Sequence, residues 1–140
     1  MIESVNNAIQ NVAPGGDILF TSDIHSCCDN SVIHRAGSGI FTLRGTSNSY
    51  GRYERFWVQC GCNIAVPEGQ TVTPIQISLA INGEAVPTSS AIVTPAAVGD
   101  YWNVNVFAYV NAPKACCYTV SIKNTSTIPI DVQNANIVVR

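Results

Sequence analysis

The sequence predicts an all-β fold, an antiparallel sandwich or barrel, for which a ten-stranded, two-sheet jelly roll is the best fit. Three observations support this prediction. Short runs of β-branched and aromatic residues recur along the 140-residue chain, with turn residues roughly every 8–12 positions. Several runs alternate apolar and polar residues with period two, as half-buried strands do. No segment combines the length, apolar periodicity and capping residues of an amphipathic helix, so no crossover helices are expected.

Residues 1–16 are predicted to form an N-terminal arm, and residues 17–140 a single jelly-roll domain. Apolar residues with helix-like spacing occur in the arm at Ile2, Val5, Ile9 and Val12. The segment is short and rich in Asn, so at most a short helix is expected there. The predicted strand runs are 17–20, 31–35, 39–44, 52–66, 74–81, 84–87, 90–94, 101–110, 116–123 and 128–139.

The run 52–66 is the longest and carries the clearest strand pattern. One phase of it is apolar throughout, and comprises Phe56, Val58, Cys60, Cys62, Ile64 and Val66. Side chains at period two share one face of a strand, so this row is predicted to face the core. Cys60 and Cys62 are therefore interpreted first as small buried hydrophobes, with a disulfide as the alternative.

Two further features define strand ends and irregularities. Asn82-Gly83 separates two strand runs, and both residue types tolerate the positive φ of a type I′ hairpin turn. In the closing run 128–139 the apolar phase changes around Asn134, which indicates a β-bulge. These signals predict antiparallel neighbours joined by tight turns.

The composition excludes several classes of protein. Only 11% of the residues are charged and the net charge is −2, whereas about 25% charged residues is typical. The hydrophobic content of 46% is too high for a disordered chain, and the few basic residues do not suit nucleic-acid binding. No apolar run is long enough for a membrane helix. A weakly charged surface favours association, so an oligomer or larger assembly is expected.

The cysteines and histidines are the candidate residues for catalysis or metal binding. The six cysteines form three pairs, Cys27-Cys28, Cys60/Cys62 and Cys116-Cys117. Disulfides are possible for the vicinal pairs in an oxidising space, and the sequence does not choose a connectivity. His25 and His34 flank the first pair, but their spacing matches neither a usual zinc site nor an oriented thiolate–imidazole pair. No catalytic residue, metal site or cofactor is predicted.

Aromatic and arginine side chains are candidates for an interaction surface. The aromatic candidates are Tyr50, Tyr53, Trp57, Tyr101, Trp102 and Tyr109, and the basic ones are Arg35, Arg44, Arg52 and Arg55. Trp57 lies in the phase opposite to the apolar row of run 52–66. It is interpreted first as a subunit contact, because aromatic residues and Arg are enriched in interface cores. A place in the core and a ligand platform are the alternatives.

Five segments resemble a known family. They are 11–20 (NVAPGGDILF), 32–40 (VIHRAGSGI), 77–87 (ISLAINGEAVP), 115–120 (ACCYTV) and 124–127 (NTST). In these segments the chain resembles the TNF-like trimeric jelly-roll family, which includes complement globular heads and the heads of bacterial exosporium proteins. It is most similar to the small TNF-like proteins of Firmicutes phages and prophages. The resemblance implies a homotrimer with apolar and aromatic residues around the threefold axis.

The resemblance suggests a non-enzymatic virion structural protein, a trimeric capsid decoration or head-fibre protein of a bacteriophage. The chain shows neither a collagen-like stalk nor a signal peptide, which favours synthesis in the bacterial cytoplasm and delivery to the capsid surface by assembly. The arm 1–16 is the expected attachment to the major capsid protein or a neighbouring fibre protein. The alternative function is a head domain, of adhesin or spore-surface type, that binds glycans or a host surface. No nucleic-acid or membrane partner is expected.

Overall fold

The computed structural model describes residues 1–26, 30–46 and 51–140. Within these residues the secondary structure consists of strands and turns, and no helix is long and apolar enough to span a membrane. The strands are β1 (Ile2–Asn6), β2 (Gln10–Val12), β3 (Ser22–Ser26), β4 (Val32–His34), β5 (Phe41–Arg44), β6 (Tyr53–Ala65), β7 (Ile75–Ile81), β8 (Glu84–Val93), β9 (Trp102–Pro113), β10 (Cys117–Asn124) and β11 (Ile130–Val139).

The strands form two antiparallel sheets. Sheet I has the order β3-β1-β11-β6-β9, with β2 also paired to β11, and sheet II has the order β4-β5-β10-β7-β8. The first and last strands of the chain are neighbours in sheet I, where Ile2 lies opposite Val139. This arrangement confirms the predicted all-β jelly roll.

The core lies between the sheets and is built from alternate residues of their strands. The apolar row of β6 is buried from Phe56 to Ile64, as its period-two pattern predicts. Phe20 and Phe41 pack edge to face with ring centroids 5.6 Å apart, a favoured geometry for aromatic pairs. In sheet I, strands such as β9 and β11 alternate buried and more exposed residues along much of their length, which leaves their outer face for solvent or a partner.

The N-terminal arm is the clearest correction to the sequence-based prediction. Residues 2–6 form β1, which is hydrogen-bonded to β11 on one side and β3 on the other, and β2 also pairs with β11. The sequence of β1 does not alternate between apolar and polar residues, because polar Ser4 and Asn6 occupy buried positions on the same face as Ile2. Their polar groups are satisfied inside the fold, as in the bond from Asn6 Nδ2 to the carbonyl oxygen of Leu19 (3.1 Å). The segment is neither an arm nor a helix.

Other differences concern the strand boundaries. The predicted run 17–20 contains only an isolated bridge from Asp17 to Lys123. Strand β3 was not predicted, because all five of its residues are exposed and it therefore has no apolar phase. The predicted runs 84–87 and 90–94 are one strand, β8, at the edge of sheet II, a position at which Pro87 is tolerated.

The predicted turn and bulge are confirmed. Asn82 and Gly83 have φ angles of 52° and 86°, as the hairpin between β7 and β8 requires. Asn134 has a φ of 52°, and the register between β11 and β6 shifts between Gln133 and Asn136. The bulge keeps apolar residues on the core side of β11 both before and after it.

Candidate functional site

The outer face of sheet I carries an exposed group of aromatic side chains. In β6 the phase opposite to the buried row includes Arg55, Trp57 and Gln59. In β9 the corresponding outward phase includes Phe107 and Tyr109, because the alternate valines point into the core. Period-two alternation in two neighbouring strands therefore places these side chains on one surface.

Trp57, Phe107 and Tyr109 form what we call the aromatic cluster. Trp57 lies directly opposite Tyr109 in the ladder between β6 and β9, with ring centroids 4.8 Å apart and an interplanar angle of 60°. The Trp57 and Phe107 rings are stacked with centroids 5.4 Å apart. The Arg55 guanidinium lies 5.6 Å from the Tyr109 ring centroid, within cation–π range. The cluster is thus a packed, continuous surface.

The backbone beneath the aromatic cluster is held on several sides. The Trp57 amide donates to the carbonyl oxygen of Arg140, and the Arg140 amide donates back to the carbonyl oxygen of Trp57. The hydroxyl of Ser89 in β8 donates to the carbonyl oxygen of Phe107 over 2.7 Å. These bonds attach the cluster to the last residue of the chain and to the edge of sheet II, so a partner meets a surface that is already ordered.

The side chains of the aromatic cluster are largely exposed to solvent, although aromatic residues are usually buried. Phe107 is 60% exposed and Tyr109 is 65% exposed, while Trp57 is half-buried beneath them. Aromatic side chains grouped on a surface are typical of interaction sites, whereas single exposed apolar residues need no explanation. Trp57 is therefore not part of the core, and the subunit contact and the ligand platform are the two interpretations that remain.

Amide side chains cover the part of this face next to the aromatic cluster. Asn105 Nδ2 donates to Asn103 Oδ1 (3.1 Å), and Asn103 Nδ2 donates to Asn63 Oδ1 (3.0 Å). Asn136 lies in the adjacent strand, and Gly61 lies opposite both Asn105 and Asn136. We call Asn63, Asn103, Asn105 and Asn136 the amide cluster. The outward phase of β6 and β9 thus runs from aromatic to amide, and Arg55 is the one charged residue in it.

The other aromatic candidates do not join the cluster. Tyr53 is exposed near the start of β6, and the Trp102 indole donates to Asp100 over 3.0 Å at the opposite end of β9. The pKa of Tyr101 is raised, by burial first and by the charge of Asp131 second. Tyr50 lies outside the described residues. Phe107 was not among the sequence candidates, although its phase opposite to the valines of run 101–110 is the signal that identifies it.

The cysteines divide into buried and exposed pairs. Cys60 and Cys62 are buried on the core face of β6, as predicted, and neither is in a disulfide. The pKa of the Cys60 thiol is raised well above its ordinary value by hydrogen bonding to Cys62 and by burial, which disfavours the reactive thiolate. Cys116 and Cys117 are exposed and likewise unbridged. Cys27 and Cys28 lie outside the described residues.

His34 has a structural role in the described part of the chain. Its side chain is buried against Phe41, with stacked rings whose centroids are 4.1 Å apart. Its Nδ1 lies 2.7 Å from Asp23 Oδ1, and its Nε2 lies 3.0 Å from the carbonyl oxygen of Ser38. These contacts join β3 of sheet I to β4 of sheet II. His25 lies on the exposed strand β3, and no described group of His, Cys, Asp or Glu side chains is arranged to hold a metal ion.

Two open clefts lie among the described residues. The larger is an open depression of about 440 Å³ beside the β7–β8 hairpin, lined by Glu84 and Tyr118 among others. The second, of about 350 Å³, is lined by the loop 35–38, with Arg35 as its charged residue. The lining residues of neither cleft include a histidine or a cysteine. The aromatic cluster is therefore the candidate functional site.

Comparison with known proteins supports the fold. No family model matches the sequence, and no curated protein matches it. Among solved structures, the globular domain of zebrafish complement 1qA protein is similar with a TM-score of 0.67 at 12% identity, over 99% of this chain and 94% of that one. The chain therefore has the jelly-roll fold of C1q/TNF-like heads, and at this identity the likeness shows the fold alone.

Two weaker likenesses were also found. The C-terminal domain of EclA, described as a sugar-binding protein, gives a TM-score of 0.42 at 12% identity, over 95% of this chain and 79% of that one. Rabbit GITRL gives a TM-score of 0.42 at 12% identity, over 79% of this chain and 78% of that one.

Proposed function

We propose that this chain is a non-enzymatic structural subunit that assembles into a homotrimer through the outer face of sheet I. The observation that carries the proposal is the aromatic cluster, in which Phe107 and Tyr109 are more than half exposed beside Trp57. Burying such rings against identical rings removes apolar area from water, at about 25 cal/mol per Å². Arg55 is the one charged residue in the outward phase of β6 and β9, so like-charge repulsion between identical copies of this part of the face is small.

We further propose that the trimer belongs to a virion, as a capsid decoration or head-fibre protein of a bacteriophage located at the capsid surface. The resemblance of five segments to small TNF-like phage proteins supports this, as does the low charge of a subunit that copies and neighbours surround. Residues 2–6 and 10–12 are strands of sheet I, so the proposed attachment to the major capsid protein or a neighbouring fibre protein through residues 1–16 would use a segment that is part of the folded domain.

Purified phage particles test the virion role directly. Particles from a host that expresses the wild-type gene are compared by cryo-electron microscopy with particles from which the gene is deleted. We expect threefold density on the capsid or fibre surface that disappears with the gene, together with peptides of this chain in the mass spectrum of the particles. An unchanged capsid and fibre surface after deletion contradicts the virion role and leaves the trimer untouched.

Glycan binding is the second candidate function, because aromatic rings beside amide groups also suit sugar recognition. In this structure the stacked Trp57 and Phe107 rings lie on the same face as the Asn103–Asn105 hydrogen bond. A glycan array probed with the native protein and with a Trp57→Ala variant, both at a concentration at which their oligomeric states are the same, tests this candidate. Binding that depends on Trp57 supports the glycan role, and an array without signal excludes the sugars that it displays.

A further inference from the structure

The amide cluster has a feature that the aromatic cluster does not explain. Gly61 lies on the outward side of β6 at a backbone conformation that any residue can adopt, yet a Cβ at this position would lie 2.7 Å from Asn105 Oδ1. The Asn105 side chain therefore lies across Gly61, where it can turn its other amide atom toward Asn103 (3.1 Å). Glycine at position 61 therefore leaves room for the Asn105 amide and is not needed for a turn.

The hydrogen bonds of the amide cluster run in one direction. Asn105 donates to Asn103, and Asn103 donates to Asn63. An amide has two N–H donors and an oxygen with two lone pairs, so each end of the chain keeps unused capacity. At one end this is the oxygen of Asn105, and at the other it is the NH₂ group of Asn63. Among the described residues, no side chain completes these bonds.

We propose that the amide clusters of the three copies hydrogen-bond to one another and fix the register in which the aromatic clusters meet. This inference rests on the proposed trimer and names a second determinant of it. Amides are both donors and acceptors, so a cluster complements an identical cluster without a change of charge. The aromatic cluster lies on the same two strands: in β9, Phe107 is two residues beyond Asn105, and in β6, Trp57 is six residues before Asn63. Copies that bury one cluster therefore bring the other close.

Buried polar groups are best known for fixing the register in which two surfaces pack against each other. Apolar contacts are non-directional and tolerate sliding, whereas an unmatched buried amide loses its bonds to water without replacement. A single polar residue in an apolar seam specifies register and oligomeric state in coiled coils. By the same physics, a shift of one copy along β6 would place an aromatic ring against an amide, which disfavours the shifted assembly.

The isosteric variant Asn105→Asp tests the proposal, with Gln76→Glu on sheet II as its matched control. If the clusters meet, three carboxylates come together at neutral pH. The neighbouring strands present Gly61, Asn136 and Asn103 to position 105, and none of these titrates. We expect sedimentation velocity to show that the half-dissociation concentration rises at least about tenfold at pH 7.5 and returns toward that of the wild type near pH 4, where the carboxylates become protonated.

Gly61→Ala supplies a second, independent variant, because its Cβ displaces Asn105 without adding charge. We expect several oligomeric species in native mass spectra in place of one, with wild-type circular dichroism showing that the subunit still folds. If wild-type protein is trimeric and Asn105→Asp dissociates at the wild-type concentration at both pH values, the register role is wrong and the trimer stands. If wild-type protein is monomeric, the proposed trimer fails and this inference fails with it.

Discussion

Replacing Phe107 by Ser removes one of the two most exposed rings of the aromatic cluster without disturbing the core. Phe107 is 60% exposed in the single chain, and an aromatic side chain has roughly 200 Å² of surface. About 120 Å² per copy is therefore available for burial between subunits. At about 25 cal/mol per Å² this corresponds to ~3 kcal/mol per copy, or ~9 kcal/mol for a trimer.

The magnitude converts into a measurable concentration. The half-dissociation concentration of a trimer varies with the square root of its dissociation constant, so a loss of ~9 kcal/mol raises it by up to about a thousandfold. Light scattering after size-exclusion chromatography, over a dilution series, follows the change in mean mass. Far-ultraviolet circular dichroism is expected to stay unchanged, because the ring is not part of the core.

Ile92→Ser is the matched control for Phe107→Ser. Ile92 is 65% exposed, but it lies on edge strand β8 of sheet II and not on the outer face of sheet I. We expect this variant to keep the wild-type dissociation behaviour. Equal half-dissociation concentrations for wild type and Phe107→Ser, or equal losses in Phe107→Ser and Ile92→Ser, would refute the assignment of the aromatic cluster to the subunit contact.

Three further predictions concern the single chain. Native protein treated with iodoacetamide is expected to be alkylated at exposed Cys116 and not at buried Cys60, as peptide mass spectrometry can show; equal labelling would contradict the burial. Asp23→Ala leaves a buried ring nitrogen of His34 without its partner, and should lower the free energy of unfolding by about 1–3 kcal/mol in urea titrations. Gly83→Val forces a β-branched residue to a φ of 86° and should cost about 1–3 kcal/mol in the same assay; an unchanged midpoint would argue against the turn.

The sequence predicts best the elements that are determined by neighbouring residues of the same segment. The apolar row of β6 alternates over much of the strand, so its buried face, including Cys60 and Cys62, could be identified from spacing alone. The turn at Asn82-Gly83 needs a positive φ at both residues, and both residue types tolerate it. The bulge at Asn134 was visible because a one-residue insertion reverses the phase of the side chains that follow it.

The elements that sequence analysis missed depend on distant partners. Strand β3 is exposed at all five positions and exists because β1 supplies its hydrogen bonds. Ser4 points inward because the Asp23 carboxylate, 19 residues away, accepts its hydroxyl hydrogen bond. Phe107 belongs to the candidate site because β9 pairs with β6. These pairings join residues far apart in the chain. The pattern of apolar and polar residues within one segment therefore does not reveal them.

The mass of the wild-type protein in solution tests the central claim most directly. Size-exclusion chromatography with multi-angle light scattering at micromolar concentration should give about 45 kDa, three times the 14.9 kDa of one chain. A single species of that mass, which Phe107→Ser converts toward the monomer, is the result that the structure predicts. A mass of 14.9 kDa at every concentration, with the aromatic cluster left exposed to water, would contradict it.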